Sequence, residues 1–503
     1  MTHLLVRRSG TLIDISPDGQ SPLDPRIVEL LRPLLTYEHK TLLRGHNRYG
    51  PDGQQRGIDV ELRHMYALEQ GRLVTGFGFL TSINEILTRH GIVLHYIDLS
   101  PPKRDGVYVP DWDNVRRHIT FRARQEECLR QIANNECGLI NAAMGFGKSF
   151  LFEAICHLFP RAYIDIVVKP KDVARSIASQ LTGSIPNVGQ VGGGSDYYGD
   201  RVTVYTAGSA HKADGRADIL LADEAHLLMT DETSRSMGQS WRFTRNYGFS
   251  GTIDGRLDGA DAQLEQFFGR TIFTLPYPEA VALGLVVPIH VRWLPIRMDH
   301  NPADGKTGVA KDRWGIWRNE DRNQQIAADV RANYPEQDTQ ILILTSTVDH
   351  AIMLWRHLPE FALCYAKKIE DADLDRYKRT NYLPQNFVPT TPERRDQMKQ
   401  EFAAGTLKRV IATDVWSTGV SFNSLQVLYR VDARESKNLD AQAPARTSRL
   451  SPETGKTYGE VIDCCDTWDK GYKRKSESRR RHYAALGWTQ SWPGGRRQIS
   501  IGT

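Results

Sequence analysis

Long apolar runs are missing from this sequence of 503 residues. Nowhere do about 18 hydrophobic residues stand together, as a membrane-spanning helix would require. Residues 1–10 hold no apolar core of secretion-signal length, so no membrane partner and a reducing cytoplasmic setting, bacterial or that of a phage-infected host, are expected. Cysteine is scarce as well. The six, Cys128, Cys137, Cys156, Cys364, Cys464 and Cys465, form no CxxC pair and none stands near a histidine pair at metal-ligand spacing, which argues against a zinc site and against a disulfide scaffold. Charge of one sign is not in excess either: 65 lysines and arginines face 60 acidic residues, and the formal net charge of +5 says little about partners. No repeat period and no low-complexity block is present.

What remains is ordinary globular usage, with 40% hydrophobic and 25% charged residues, in a chain longer than one core usually organises. Three domains are expected. Residues 1–115 alternate short apolar strands (73–79, 92–97) with amphipathic stretches (27–35, 83–89), an accessory α/β domain. Residues 116–290 alternate helical periods with buried-strand runs at 138–141, 162–168, 202–205, 219–222 and 247–249. Residues 291–503 repeat the pattern with runs at 340–344, 362–365, 409–412, 426–430 and 460–463. Strands separated by helices imply parallel sheets covered on both faces. Two stretches resist assignment: 183–200, with Gly192, Gly193 and Gly194, reads as a turn-rich hairpin or loop, and 371–391, with Lys378, Arg379 and Tyr382, as an insertion. Either a nucleic-acid contact or a solvated loop fits each. Near the C-terminus Lys473, Arg474, Lys475, Arg479, Arg480, Arg481, Arg496 and Arg497 concentrate positive charge, which suits phosphate contacts or a solvated helix face.

The sharpest local signal is Ala142-Ala143-Met144-Gly145-Phe146-Gly147-Lys148-Ser149, set between the apolar run 138–140 and the helical pattern 150–159. Glycines in such a turn let backbone N–H groups close around phosphate oxygens, and the helix N-terminus adds positive potential. Lys148 would reach the outer phosphates and Ser149 would ligate magnesium. Ala142 stands where the full pattern has its first glycine. A second signal is Ile219-Leu220-Leu221-Ala222-Asp223-Glu224-Ala225-His226, an apolar strand ending in adjacent carboxylates. At the carboxyl edge of a parallel sheet, Asp223 would hold Mg²⁺ while Glu224 polarises an attacking water.

With both signals in order, the chain resembles the superfamily 2 helicases, whose DEAH signature stands at 223–226. The resemblance covers about residues 116–485 and implies two tandem RecA-like parallel-sheet domains preceded by the small α/β domain. Arg122 and Gln125 resemble the adenine-reading element that joins Met144, Gly145, Phe146, Gly147, Lys148 and Ser149 in holding ATP. Val167-Val168-Lys169-Pro170, Thr206-Ala207-Gly208-Ser209, Ser250-Gly251-Thr252, Leu344-Thr345-Ser346 and 412–419 resemble motifs Ia to V, and 442–449 resembles motif VI. Carried over residue by residue, Gln442 positions water or the γ-phosphate, Arg446 and Arg449 act as arginine fingers, and Lys169, Thr206, Ser346, Thr413 and Thr418 grip DNA. Ala445 replaces the usual glycine before the finger, and Arg124 stands where the family often has an aromatic residue.

Layout and the segment 463–488 are similar to the phage UvsW helicases, which remodel branched DNA in repair and recombination. The implied function is an ATP- and Mg²⁺-dependent DNA helicase or translocase on single-stranded, duplex or branched DNA or on RNA–DNA hybrids. The oligomeric state stays open. Two rivals stay open with it: the motor subunit of a restriction-type system, and a nucleic-acid-binding module with a decayed motor. In residues 1–115, Arg44, His46, Arg48 and Tyr49 cluster in one loop. That domain would read DNA, dock a protein or support the first motor domain.

Overall fold

The computed structural model describes residues 2–42, 58–229, 237–241, 244–251, 262–365, 369–413, 416, 422–435 and 437–492. Thr418, Thr252, the loop residues Arg44, His46, Arg48 and Tyr49, and Arg496 and Arg497 lie outside them. The chain divides into two compact units, Met1–Ala143 with Gly147–Pro276, and Tyr277–Thr503 with Met144–Phe146.

The first unit begins with strands β1 (Thr2–Ser9) and β2 (Leu12–Ser16), then the antiparallel pair β3 (Thr36–Leu42) and β4 (Ile58–His64), then β5 (Tyr66–Glu69), β6 (Arg72–Gly76) and β7 (Ile92–Asp98). Five of these form a sheet in the order β5-β6-β2-β1-β7. Leu4, Val6, Ile13, Ile15 and Leu73 alternate inward and pack with Ile83 and Leu87 of the helix Leu80–Arg89, the period-two and period-3.6 patterns meeting on one core. This sheet is seated on the helix Ala262–Phe268. A Cβ on Gly78 would lie 2.0 Å from the Glu265 carbonyl oxygen, so only glycine permits the approach. The Ser82 hydroxyl donates to Glu265 at 2.6 Å, and Arg8 pairs with Glu136 at 2.9 Å.

The larger sheet of this unit contains β8 (Cys137–Ala142), β9 (Ile164–Val168), β10 (Gly189–Gly192), β11 (Ser195–Tyr197), β12 (Val202–Thr206), β13 (Ile219–Asp223), β14 (Arg245–Ser250) and β15 (Thr271–Leu275). Their order is β11-β10-β12-β9-β13-β14-β8-β15. All neighbours are parallel except β10 and β11. The stretch 183–200 thus supplies an edge hairpin, turned by Gly192, Gly193 and Gly194 at φ of 97°, 67° and 98°. β9 and β12 are buried at every position, as strands covered on both faces must be.

The second unit is built on β16 (Ile289–Pro295), β17 (Ile341–Leu344), β18 (Ala362–Cys364), β19 (Arg409–Ala412), β20 (Val427–Arg430), β21 (Gly459–Cys465) and β22 (Thr489–Ser491). They form one parallel sheet in the order β18-β19-β17-β20-β21-β16-β22. Two sequence readings change here. The apparent insertion 371–391 carries the helix Asp371–Arg379, and its Tyr377 and Leu383 belong to the domain core, so it is packed structure and not a solvated loop. Arg479, read as part of a surface basic run, is buried within the helix Lys470–Ala485 and clasps Asp463 at 2.8 Å and 3.0 Å. A buried guanidinium needs such a partner. Among the described residues no helix is long and apolar enough to cross a membrane.

Candidate nucleotide site and nucleic-acid-facing edge

β8 ends at Ala142, and the glycine turn delivers Lys148 and Ser149 to the first turn of the helix Lys148–Leu158. Gly147 has φ +93°, and a Cβ there would stand 2.7 Å from Arg122 Nη2 and 2.9 Å from Gln125 Nε2. The backbone N–H of Arg122 donates to Gln125 Oε1 at 2.9 Å, and Gln125 is fully buried. The fold therefore brings Arg122 and Gln125 against the turn that precedes Lys148.

β13 runs between β9 and β14 and ends at Asp223. The next residue, Glu224, adopts φ +46°, a left-handed conformation that a non-glycine residue takes at some cost and that recurs at functional sites. The turn aims its carboxylate at Lys148: Nζ lies 3.0 Å from Glu224 Oε1, in a pair little exposed on either side. Burial and the neighbouring Glu224 charge push the Asp223 carboxyl up to about 7, against the opposing pull of Lys148. Glu224 moves the other way. Burial would raise it, but Lys148 and His226 outweigh that and hold it below the usual carboxylate range. Adjacent carboxylates thus come to differ in charge, as two interacting groups in one partly dry site must.

The roster of candidate residues omitted His226 and Ser250. His226 is 1% exposed, its Nδ1 lies 2.7 Å from the Ser250 hydroxyl at the end of β14 and 3.6 Å from Glu224 Oε2. Both residues stand in the quoted motif strings, so the signal for them was present. Lys169 and Thr206 close the adjacent strands β9 and β12, with Thr206 opposite Val168. Lys169 is exposed and donates to the Leu227 carbonyl at 3.3 Å, and the buried Thr206 hydroxyl bonds to Ser209 at 3.1 Å.

In the second unit, Gln442 ends the helix Lys437–Gln442, and Arg446 sits in the short helical turn Pro444–Ser448, with Arg449 next after it. Burial and then the adjacent Arg449 lower the Arg446 guanidinium to about 9, and burial lowers Arg449 too. Lys456, which the sequence did not mark, joins them. Burial and Arg449 bring its amine down to about 8, and it donates to the Leu425 carbonyl at 2.8 Å. Environments that disfavour positive charge this consistently would be relieved by an anion. Ser346 and Thr413 follow β17 and β19, which are paired with Leu344 opposite Ala412. Ser346 Oγ lies 3.5 Å from His350 Nδ1, and Thr413 is buried.

No known family profile and no curated protein matches this sequence. Solved structures do match its fold. Dbp5 of S. cerevisiae, bound to RNA and ADP BeF3, aligns at a TM-score of 0.52 and 14% identity over 75% of this chain and 91% of that one. A fragment of a putative HsdR subunit of a type I restriction enzyme from Vibrio vulnificus aligns at 0.51 and 13% identity over 87% and 90%. The fold is two tandem RecA-like domains behind a small α/β domain. T4 UvsW is also similar, at a TM-score of 0.40 and 16% identity over 97% of this chain and 98% of that one.

Proposed function

We propose that this chain is an ATP-driven motor that acts on DNA, a helicase or translocase whose nucleotide site is built by Arg122, Gln125, the turn 144–147, Lys148, Ser149, Asp223 and Glu224. The observation that carries the reading is the Lys148–Glu224 pair at 3.0 Å beside a proton-hungry Asp223. A phosphate-binding lysine, a general-base carboxylate and a cation ligand converge there from three separate segments of sequence. Lys148 leaves Glu224 to neutralise the outer phosphates. Glu224, once released, accepts the proton of the attacking water, and His226 and Ser250 hold its orientation.

The donor set fits magnesium: Asp223 and Ser149 offer two oxygens, and among the described residues no cluster of three His, Cys, Asp or Glu could hold a metal ion unaided. An ion that keeps waters and shares nucleotide phosphates suits such a site, and it would supply charge neutralisation on those phosphates. Arg446 and Arg449 are the proposed fingers, with Gln442 beside the γ-phosphate. Their cations gain from an anion what burial takes away. Lys169, Thr206, Ser346, Thr413 and Thr418 are proposed to meet the nucleic-acid backbone without reading sequence. Residues 1–115 are proposed as an accessory domain, 116–290 and 291–503 as the motor domains. A fold shared with a protein solved on RNA and ADP BeF3 supports the pairing of nucleotide and nucleic acid.

Phosphate release measured with and without single-stranded, forked and four-way DNA tests the reading, with Lys148→Ala as control. Stimulation by DNA in the intact chain and none in the variant is expected; hydrolysis indifferent to every nucleic acid would sink it. The likeness to the HsdR fragment favours one second reading, a motor subunit of a restriction-type system. Co-purification with a nuclease-bearing partner and translocation without strand separation would select it.

A further inference from the structure

Between β16 and the helix Glu320–Asn333 the chain forms a short helix, Gly308–Asp312, that widens into a π-helical turn at Arg313–Trp317, closed by the Arg318 N–H donating to the Arg313 carbonyl at 2.8 Å. Such turns are energetically poor and recur where function keeps them. This one is anchored on one side only. Ile316 packs with Tyr472 and Ala433, and Trp317 and Trp468 cover that small core. A Cβ on Gly315 would fall 2.8 Å from the Tyr472 ring, so glycine lets the turn seat against the helix Lys470–Ala485. Tyr472 donates its hydroxyl to Asp312 at 3.0 Å, and Lys311 pairs with Asp469 at 2.8 Å.

The residue left outside this packing is Trp314, 44% exposed. Arg313 beside it is exposed, as are Lys470 and Arg474, which lie one turn apart on the same face of their helix. Lys311 and Lys475 flank Tyr472, each ammonium 5.3 Å from the ring centre. An outward indole held on a braced turn and rimmed by cations matches what an unpaired strand asks of a protein: a flat apolar surface for a base and positive charge for its phosphates. The position fits as well. The π-helical turn follows β16 and Trp468 follows β21, so both lie at the carboxyl edge of the parallel sheet from which Ser346 and Thr413 also emerge. β16 stands three places from β17, roughly 14 Å at the usual strand spacing.

We infer that Trp314, with Arg313, Lys470 and Arg474 around it, is a stacking platform for an unpaired nucleic-acid strand. This rests on the motor reading and adds to it a base-contacting surface outside every motif named above. Its test is fluorescence anisotropy of labelled oligo-dT and oligo-U, intact or carrying abasic residues, with the full-length protein. Trp314→Ala should weaken binding of the intact strands by about 5- to 100-fold and leave hydrolysis without nucleic acid unchanged. Trp314→Phe should keep most of the affinity. Abasic strands should bind the intact protein weakly and the Ala variant no worse. Lys470→Gln and Arg474→Gln should each flatten the salt dependence by a slope of about 0.7, which Trp314→Ala should not do. If the intact protein binds neither oligonucleotide, this inference and the motor reading fall together. If it binds and Trp314→Ala binds as tightly, or if duplex binding suffers as much as single-strand binding, only the platform is overturned, and the patch is left to an acidic protein or to duplex.

Discussion

Glu224→Gln separates nucleotide binding from hydrolysis, because Glu224 holds two partners in turn. In the structure its carboxylate occupies the Lys148 ammonium at 3.0 Å, with side-chain exposures of 11% for Lys148 and 23% for Glu224. ATP must take that ammonium away. A hydrogen bond to a charged group is worth about 1.5–3 kcal/mol and a neutral one roughly half that, so the amide should surrender Lys148 at a saving of about 1 kcal/mol, or about fivefold tighter ATP binding. The same change removes the proton acceptor, which should slow hydrolysis by about 10²- to 10⁴-fold. The amide is nearly isosteric and keeps the φ of +46°, so neither effect should come from refolding the turn. Mant-ATP fluorescence titration and single-turnover phosphate release would read the two numbers. Weaker ATP binding with undiminished turnover would refute both the base role and the competition for Lys148.

Lys148→Ala should abolish ATP turnover while oligonucleotide affinity, measured by anisotropy, stays near that of the intact chain. Arg446→Ala should lower kcat by about 10³-fold or more with a smaller change in nucleotide affinity, and a twofold effect in steady-state assays would place motif VI elsewhere. Asp165, buried in β9 and held by the Trp241 indole N–H at 2.7 Å, has its carboxyl pushed up to about 7 by burial. Because the folded state binds this proton more tightly than the unfolded one, stability should fall as pH rises from about 4 to about 7 and level off above. Asp165→Asn should remove that slope from urea unfolding midpoints and gain no more than about 4 kcal/mol at pH 8, at about 1.4 kcal/mol per unit; an unchanged slope would show that Asp165 does not titrate in the fold.

The parts of this protein that announced themselves were those where local chemistry and fold agree. The turn 142–149 needs glycines, a helix start and a cation in consecutive positions, and the strand 219–222 needs an apolar run broken by two acids. Both can be read within ten residues. β15 and β16 escaped because Thr271–Leu275 and Ile289–Pro295 mix threonine, histidine and arginine into short runs whose burial comes from distant strands, β8 for one and β21 for the other. Arg479 was misjudged for the same reason. Its neighbours in sequence are cations, and the Asp463 that buries it belongs to a strand 16 residues earlier. Tyr377 sat in a stretch rich in charge, yet its ring enters the core and its hydroxyl meets Asp349 at 2.8 Å. The π-helical turn at Trp314 has no local signature, since its register depends on Gly315 meeting Tyr472 across 157 residues of chain.

The claim that the ATP site drives motion is tested most directly by displacement of streptavidin from the end of a biotinylated DNA strand, followed with time in saturating Mg-ATP. A motor should clear streptavidin from at least one end, and should fail with a non-hydrolysable ATP analogue and in the Lys148→Ala variant. DNA-stimulated hydrolysis with no displacement from either end would mean that ATP operates a switch on bound DNA and not a motor along it.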